Sequence, residues 1–105
     1  MDSYGVVFVT VASESEGDAI AQGLLEAKLA ACISMTQIKS MYRWQGKIEN
    51  DTEWQLMIKT DLSQFAALEA KIKEMHSYDV PEIIALPIMA GSESYLSWIS
   101  ENVGY

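Results

Sequence analysis

Apolar residues fall along this chain in two rhythms, and the points where one gives way to the other mark its elements. Val6 to Val11 is an unbroken, mostly β-branched apolar run containing Phe8 and Thr10, the pattern of a central strand buried on both faces. Ser13, three residues ahead of Glu16, offers a capping box. Ile20, Leu24, Ala27 and Ala31 then recur at helical spacing and predict a helix with one narrow apolar face, fading near Leu29. Ile33 to Trp44 and Lys47 to Thr60 change to period two, with Gln45-Gly46 between them as a tight hairpin turn. In the second arm Ile48, Thr52, Trp54, Leu56 and Ile58 share one face. Lys47, Glu49, Asp51, Glu53, Gln55 and Lys59 share the other, so one side is expected buried and one wet. In the first arm Ile33 and Met35 are out of phase with Ile38, Tyr42 and Trp44, which a β-bulge near Thr36 or Gln37 would reconcile.

Phe65, Leu68, Ile72 and Met75 mark a second amphipathic helix, started near Asp61 or Ser63 and ended before Val80-Pro81, because the residue preceding a proline avoids the helical region. Glu82 to Met89 reads as a fourth strand. Gly91-Ser92 opens a short last helix carrying Tyr95, Leu96 and Ile99, with a frayed tail to Tyr105. The order β-α-β-β-α-β plus a C-terminal helix is the split βαβ arrangement: an α+β, ferredoxin-like sandwich, both helices on one face of an antiparallel sheet with a long β2-β3 hairpin.

Composition narrows the reading further. At 105 residues the chain is one domain, 1–105, large enough to bury a core without disulfide or metal. Cys32 is the single cysteine, so no internal bridge is available and nothing points to an oxidising compartment. Met1, Asp2 and Ser3 put an acidic residue where a signal peptide carries positive charge, which points to the cytoplasm. No apolar run approaches the ~20 residues of a membrane span, so no membrane association is expected. Seven Lys plus Arg against fifteen Asp plus Glu leave a net charge of −8, which repels phosphate backbones and argues against nucleic acid as a partner.

The hairpin implies a second chain. At ~3.3 Å per residue an arm of about a dozen residues spans ~40 Å, whereas a compact chain of this length has a radius of gyration near ~13 Å and a diameter of ~33 Å. Arms overhanging their own domain with Met41, Tyr42, Trp44 and Trp54 on them would leave rings and backbone edges uncovered, and another subunit is the simplest cover.

Five segments then carry a resemblance: Leu29-Ala30-Ala31-Cys32-Ile33, Tyr42-Arg43-Trp44-Gln45-Gly46-Lys47-Ile48, Lys59-Thr60, His76-Ser77-Tyr78-Asp79-Val80-Pro81-Glu82-Ile83 and Tyr95-Leu96-Ser97-Trp98. In order and spacing the chain resembles the CutA (divalent-cation tolerance) family over almost its whole length. The resemblance implies a ferredoxin-like subunit, a homotrimer held by long strands, an architectural kinship with the PII signalling proteins, and a link to copper and divalent-cation tolerance. The chain departs from the family at two points. The family's usual His-Pro-Tyr is His76-Ser77-Tyr78 here, and the positions where some members place a Cys and a second His as copper ligands hold Thr10 and Met75.

His76 is the one histidine and the metal-ligand candidate, suited to Cu(II) or another divalent cation, with Asp79 or Glu82 as further oxygen ligands. An imidazole at a helix end also serves simply to bond the last carbonyls. Cys32 reads as core, and the methionines as gap-fillers on apolar faces. Tyr42, Trp44, Lys59, Tyr78 and Glu82 are candidates to line a cleft between subunits, the alternative for Lys59 and Glu82 being an exposed ion pair. No nucleophile elbow, phosphate loop or HExxH motif appears, so the expectation is a non-enzymatic protein without an obligatory cofactor. Two classes of function follow: weak divalent-metal binding in cation tolerance, or a PII-like trimer that binds a small molecule or partner protein in its inter-subunit clefts.

Overall fold

The structure, a computed structural model, describes residues 3–104. Met1 and Asp2, on which the reading of the N-terminus partly rests, and Tyr105 at the end of the expected tail lie outside the described residues. The elements run β1 (Tyr4–Val11), α1 (Glu14–Glu26), β2 (Cys32–Trp44), β3 (Lys47–Asp61), a 3-10 turn (Leu62–Gln64), α2 (Phe65–Met75), β4 (Ile83–Pro87) and α3 (Glu93–Asn102). The strands form one antiparallel sheet in the order β2-β3-β1-β4. This is the expected α+β, ferredoxin-like arrangement, with β1 in the interior of the sheet.

Alternation places Val7, Val9 and Val11 of β1 beside Ile58, Leu56 and Trp54 of β3 on one face. Ile20 and Leu24 of α1 and Leu68 and Ile72 of α2 close over that face, and of these ten side chains all but Trp54 are fully buried. Thr60, also fully buried, satisfies its hydroxyl by donating to the Leu29 carbonyl at 2.7 Å. α3 meets the opposite face of the sheet, where the Tyr4 hydroxyl lies 2.7 Å from that of Ser100. Its Ile99 is fully buried, and the chain just beyond it is held by a bond from the Gly104 amide to the Lys28 carbonyl.

Several boundaries differ from the sequence reading. α1 ends at Glu26 because Lys28 takes a positive φ of 58°, which breaks the helix before Leu29. The α2 start is a 3-10 turn capped by Asp61, whose carboxylate accepts from the Ser63 amide. β4 is shorter than Glu82 to Met89, since its pairing with β1 covers only Ile83 to Pro87.

The expected β-bulge is absent. β2 and β3 pair without interruption from Cys32↔Lys59 to Trp44↔Lys47. The apolar phase of β2 changes because its surroundings change: Ile33 and Met35 lie over the core, whereas Ile38, Tyr42 and Trp44 lie where β3 has outrun β1. The same register corrects the reading of Cys32 as core. Paired with Lys59, it points away from the Ile58 side and is only half-buried. Of the methionines, Met35 and Met75 pack against the core, but Met41 and Met89 are exposed.

β1 pairs with β3 only from Trp54 to Asp61, so the rest of the hairpin projects. The chain measures 44 × 25 × 21 Å, the long axis being set by this arm. At its tip Gln45 and Gly46 have φ of 49° and 78°, the two left-handed residues of a type I′ turn. Gly46→Ala should therefore destabilise the hairpin by about 1–2 kcal/mol, the cost of a Cβ in the left-handed region. A lowered denaturant midpoint checks it; an unchanged midpoint would mean that the turn relaxes freely.

Candidate functional site

Beyond Val9, β4 no longer accompanies β1, and the chain entering β4, residues 76–82, takes its place. That segment faces the hairpin across the end of β1 and encloses an open cleft of about 620 Å³. Tyr42 and Trp44 line it from the hairpin, and Tyr78 and Glu82 from the entering segment. Four of the five residues expected in a cleft are thus brought together. Lys59 is not among them: it sits six residues beyond Glu53 on β3, roughly 20 Å along the strand, and donates to the Ser34 hydroxyl at 3.2 Å.

His76 holds the floor of this region in place. Its side chain is fully buried, and both ring nitrogens are engaged. Nδ1 accepts from the Tyr78 amide at 3.0 Å, which leaves the proton on Nε2 to be donated to the Thr10 carbonyl at 2.8 Å. The ring also packs against that of Tyr78, centroids 4.8 Å apart. Glu16 adds a second tie. Its carboxylate accepts from the Ser77 amide at 2.8 Å and the Ser77 hydroxyl at 3.0 Å, and approaches His76 Nδ1 to 3.6 Å. Only one half of the expected capping box forms as a result: Ser13 accepts from the Glu16 amide, but the Glu16 side chain is directed to Ser77.

The phenols set the electrostatics. Tyr78 donates to Glu53 at 2.8 Å, and burial followed by this carboxylate pushes its phenol well above the ordinary range. Tyr42 donates to Asp51, and that bond, ahead of other causes, raises its phenol to about 12. Both rings therefore stay neutral across the physiological range. Outside the cleft Tyr95 is raised as well, by burial and then by Cys32 beside it.

Sequence reasoning missed Glu53 and Asp51, placed on the wet side of the hairpin. Glu53 is buried, 8 % exposed, because the entering segment folds over it. Period two assigns Glu53 to the face away from the core, but nothing in that rhythm announces a loop from elsewhere covering it.

Among the described residues no group of three or more His, Cys, Asp or Glu side chains is placed to hold a metal ion. A cation at His76 would have to displace the Thr10 carbonyl or the Tyr78 amide, and Asp79 and Glu82 face the cleft instead. The described residues of a single chain thus do not by themselves form a resident transition-metal centre. The cleft offers hydrogen-bond acceptors, neutral rings and negative charge.

The family described as CutA1 divalent ion tolerance protein matches residues 5–102. A divalent-cation tolerance protein CutA from Thermus thermophilus is 45% identical over 100 residues, 94% of this chain and 97% of the relative. Among solved structures, a periplasmic divalent cation tolerance protein CutA from Archaeoglobus fulgidus superposes with a TM-score of 0.94 at 42% identity, covering 96% of this chain and 99% of the other. CutA1 from Oryza sativa superposes with a TM-score of 0.96 at 41% identity, covering 98% and 95%.

The Tyr42–Asp51 bond makes a pH prediction. The neutral phenol is favoured because its ionised form would face a carboxylate, so Tyr42 should ionise only as pH passes about 12. Asp51→Asn removes the facing charge and should bring the transition down toward the ordinary 10. Ultraviolet difference titration against Tyr42→Phe isolates the Tyr42 transition; one that does not move in Asp51→Asn would mean the carboxylate is not its cause.

Proposed function

This chain belongs to the CutA1 divalent ion tolerance family, and from that premise we propose that it serves cation tolerance as a homotrimer that catalyses no reaction, its subunits meeting along the projecting hairpins. The observation that carries the trimer is the uncovered arm. Both of its faces bear exposed apolar side chains, Met41 and Ile48 on one and Tyr42 and Trp44 on the other, with Trp44 58% exposed in the single chain. The sheet face opposite α1 and α2 adds Ile84 and Leu86, each about half exposed. Apolar surface on this scale, continuous with open strand edges, is what a second and third copy would cover.

In this reading divalent-cation binding is weak, because among the described residues no preformed centre awaits the ion and His76 must first give up its bond to Thr10 or Tyr78 before it, with Asp79 or Glu82 moved onto it, can serve as a ligand. A second reading, a PII-like trimer with a small-molecule ligand, is favoured by the cleft itself. Its volume falls in the range of small-molecule sites, and its wall combines three aromatic rings with convergent polar groups.

Native mass spectrometry at micromolar concentration should give a trimer of the 11.7 kDa chain, and Trp44→Ala should weaken assembly along with folding, by about 3–5 kcal/mol where the ring is packed. A clean wild-type monomer removes the proposal, and an unchanged trimer in the variant removes Trp44 from the interface. Calorimetric titration of the wild type and His76→Ala with Cu(II) and Zn(II) should show modest binding that the variant loses. It should also fade at mildly acidic pH, since a histidine ligand must shed its proton to bind metal. Equal binding by both proteins would make His76 purely structural; no binding by either would favour the small-molecule reading.

A further inference from the structure

The projecting arm is electrostatically two-sided. Its register pairs Lys39 with Thr52, Met41 with Asn50 and Arg43 with Ile48, which puts these six residues on one face, and the only charges among them are the two cations. The opposite face carries Glu49, Asp51 and Glu53, with Lys47 beside the turn as its one cation, and it looks across the cleft at Asp79 and Glu82. Among the described residues neither Lys39 nor Arg43 takes part in an ion pair; the two pairs present join Lys73 to Glu69 and His76 to Glu16. Asp51 and Glu53 already accept the phenol protons of Tyr42 and Tyr78, whereas Asp79 and Glu82 are exposed and make no side-chain hydrogen bond to any described residue. One chain thus holds unmatched cations on one face of its arm and unmatched carboxylates beside the other. The two faces of a ribbon look in opposite directions, so these charges meet only between copies. Symmetry then selects how they meet. A two-fold contact sets a face against its own copy, carboxylates on carboxylates or Arg43 on Arg43. A head-to-tail contact sets the cationic face of one arm on the acidic face of the next, and repeated with the same rotation it closes into a ring.

We propose that the cleft is completed by a second copy of this chain: Arg43 of the partner subunit enters it and is held by Asp79 and Glu82, its guanidinium lying against the rings of Trp44, Tyr42 and Tyr78. This rests on the trimer reading and adds which charges meet and in which sense the copies follow one another. A guanidinium suits the site because its five N–H donors can serve two carboxylates at once and its flat face stacks on aromatic rings. Tyr42 and Tyr78 have given their hydroxyl protons to carboxylates, so their oxygens are left as further acceptors. The buried Tyr78–Glu53 pair, held from behind by His76, forms the fixed inner wall. Lys39 lies roughly 13 Å from Arg43 along the same face and adds a second positive charge to the contact.

Subunit exchange between unlabelled and isotope-labelled protein, followed by native mass spectrometry, reads this contact even in a trimer too tight to dilute apart. Arg43→Glu and Glu82→Lys should each speed exchange at least about tenfold, because removing one partner of a close interfacial charge pair acts on dissociation. The double variant Arg43→Glu/Glu82→Lys, which restores unlike charges in the opposite order, should return to within about threefold of the wild type. One single change makes the chain more acidic and the other less, so general repulsion between acidic subunits would slow exchange in Glu82→Lys where loss of the pair speeds it. Circular dichroism checks that each variant is folded, and Arg43→Gln, Glu82→Gln and their combination complete the same cycle where a reversed charge prevents folding. Single variants that exchange as the wild type does, or a double variant no slower than its singles, overturn the pairing while the trimer stands. A wild-type monomer or dimer overturns the trimer reading together with the inference.

Discussion

Thirteen consecutive residues of β2 face thirteen of β3 with no bulge, and because side chains alternate across a strand, this one register decides which face every residue of the hairpin serves. Near the core it turns Ile33, Leu56 and Ile58 toward the helices and leaves Lys59 and Cys32 on the other side. Farther out it carries Tyr42 and Glu53 onto the face where the segment entering β4 can reach them. A slip of one residue would exchange the two sets, burying charge against α1 and α2 and withdrawing the cleft's inner wall.

His76 makes that wall dependable. A neutral imidazole with one donor and one acceptor bridges the end of β1 and the segment that follows α2, and Glu16 fastens the same segment to α1. The position of Tyr78 is therefore fixed by three separate elements. The His76 side chain does this from a fully buried position. It also separates two meanings of an unusual residue: the one histidine of the chain stands out in the sequence as a ligand, while in the fold both of its nitrogens are occupied in positioning.

The sequence was most legible where a single environment governs a whole element. Val7, Val9 and Val11 face one core, as do Leu68 and Ile72, although Val6 and Phe8 on the other face of the strand expected buried on both sides are only half-buried, and Gln45-Gly46 has a single conformation to adopt. It was least legible where the environment changes midway along an element. The shift from Met35 to Ile38 looks like a bulge because a period-two rule assumes one buried face for the whole strand, whereas β2 leaves the cover of its helices partway along. Tyr42, Trp44, Tyr78 and Glu82 could be grouped from their segments, but Glu53 and Asp51 could not. Their role arises from partners 25 and nine positions away, and the local pattern around both is that of an ordinary solvated strand. Lys59 shows the reverse error, since adjacency to an apolar strand says which face a side chain takes and nothing about how far along the sheet it lies.

The bulge-free arm closed by a two-residue turn also governs how such a chain tolerates insertions and deletions. Residues added opposite one another, two on each arm, would lengthen the hairpin and leave every side chain on its present face. One on each arm would invert everything beyond the point of insertion, and a single unmatched residue would force the ladder out of register. Changes in steps of four residues would therefore alter the reach of the arm and spare the strand chemistry on which the core is built, making length a property that evolution or engineering could adjust separately from sequence.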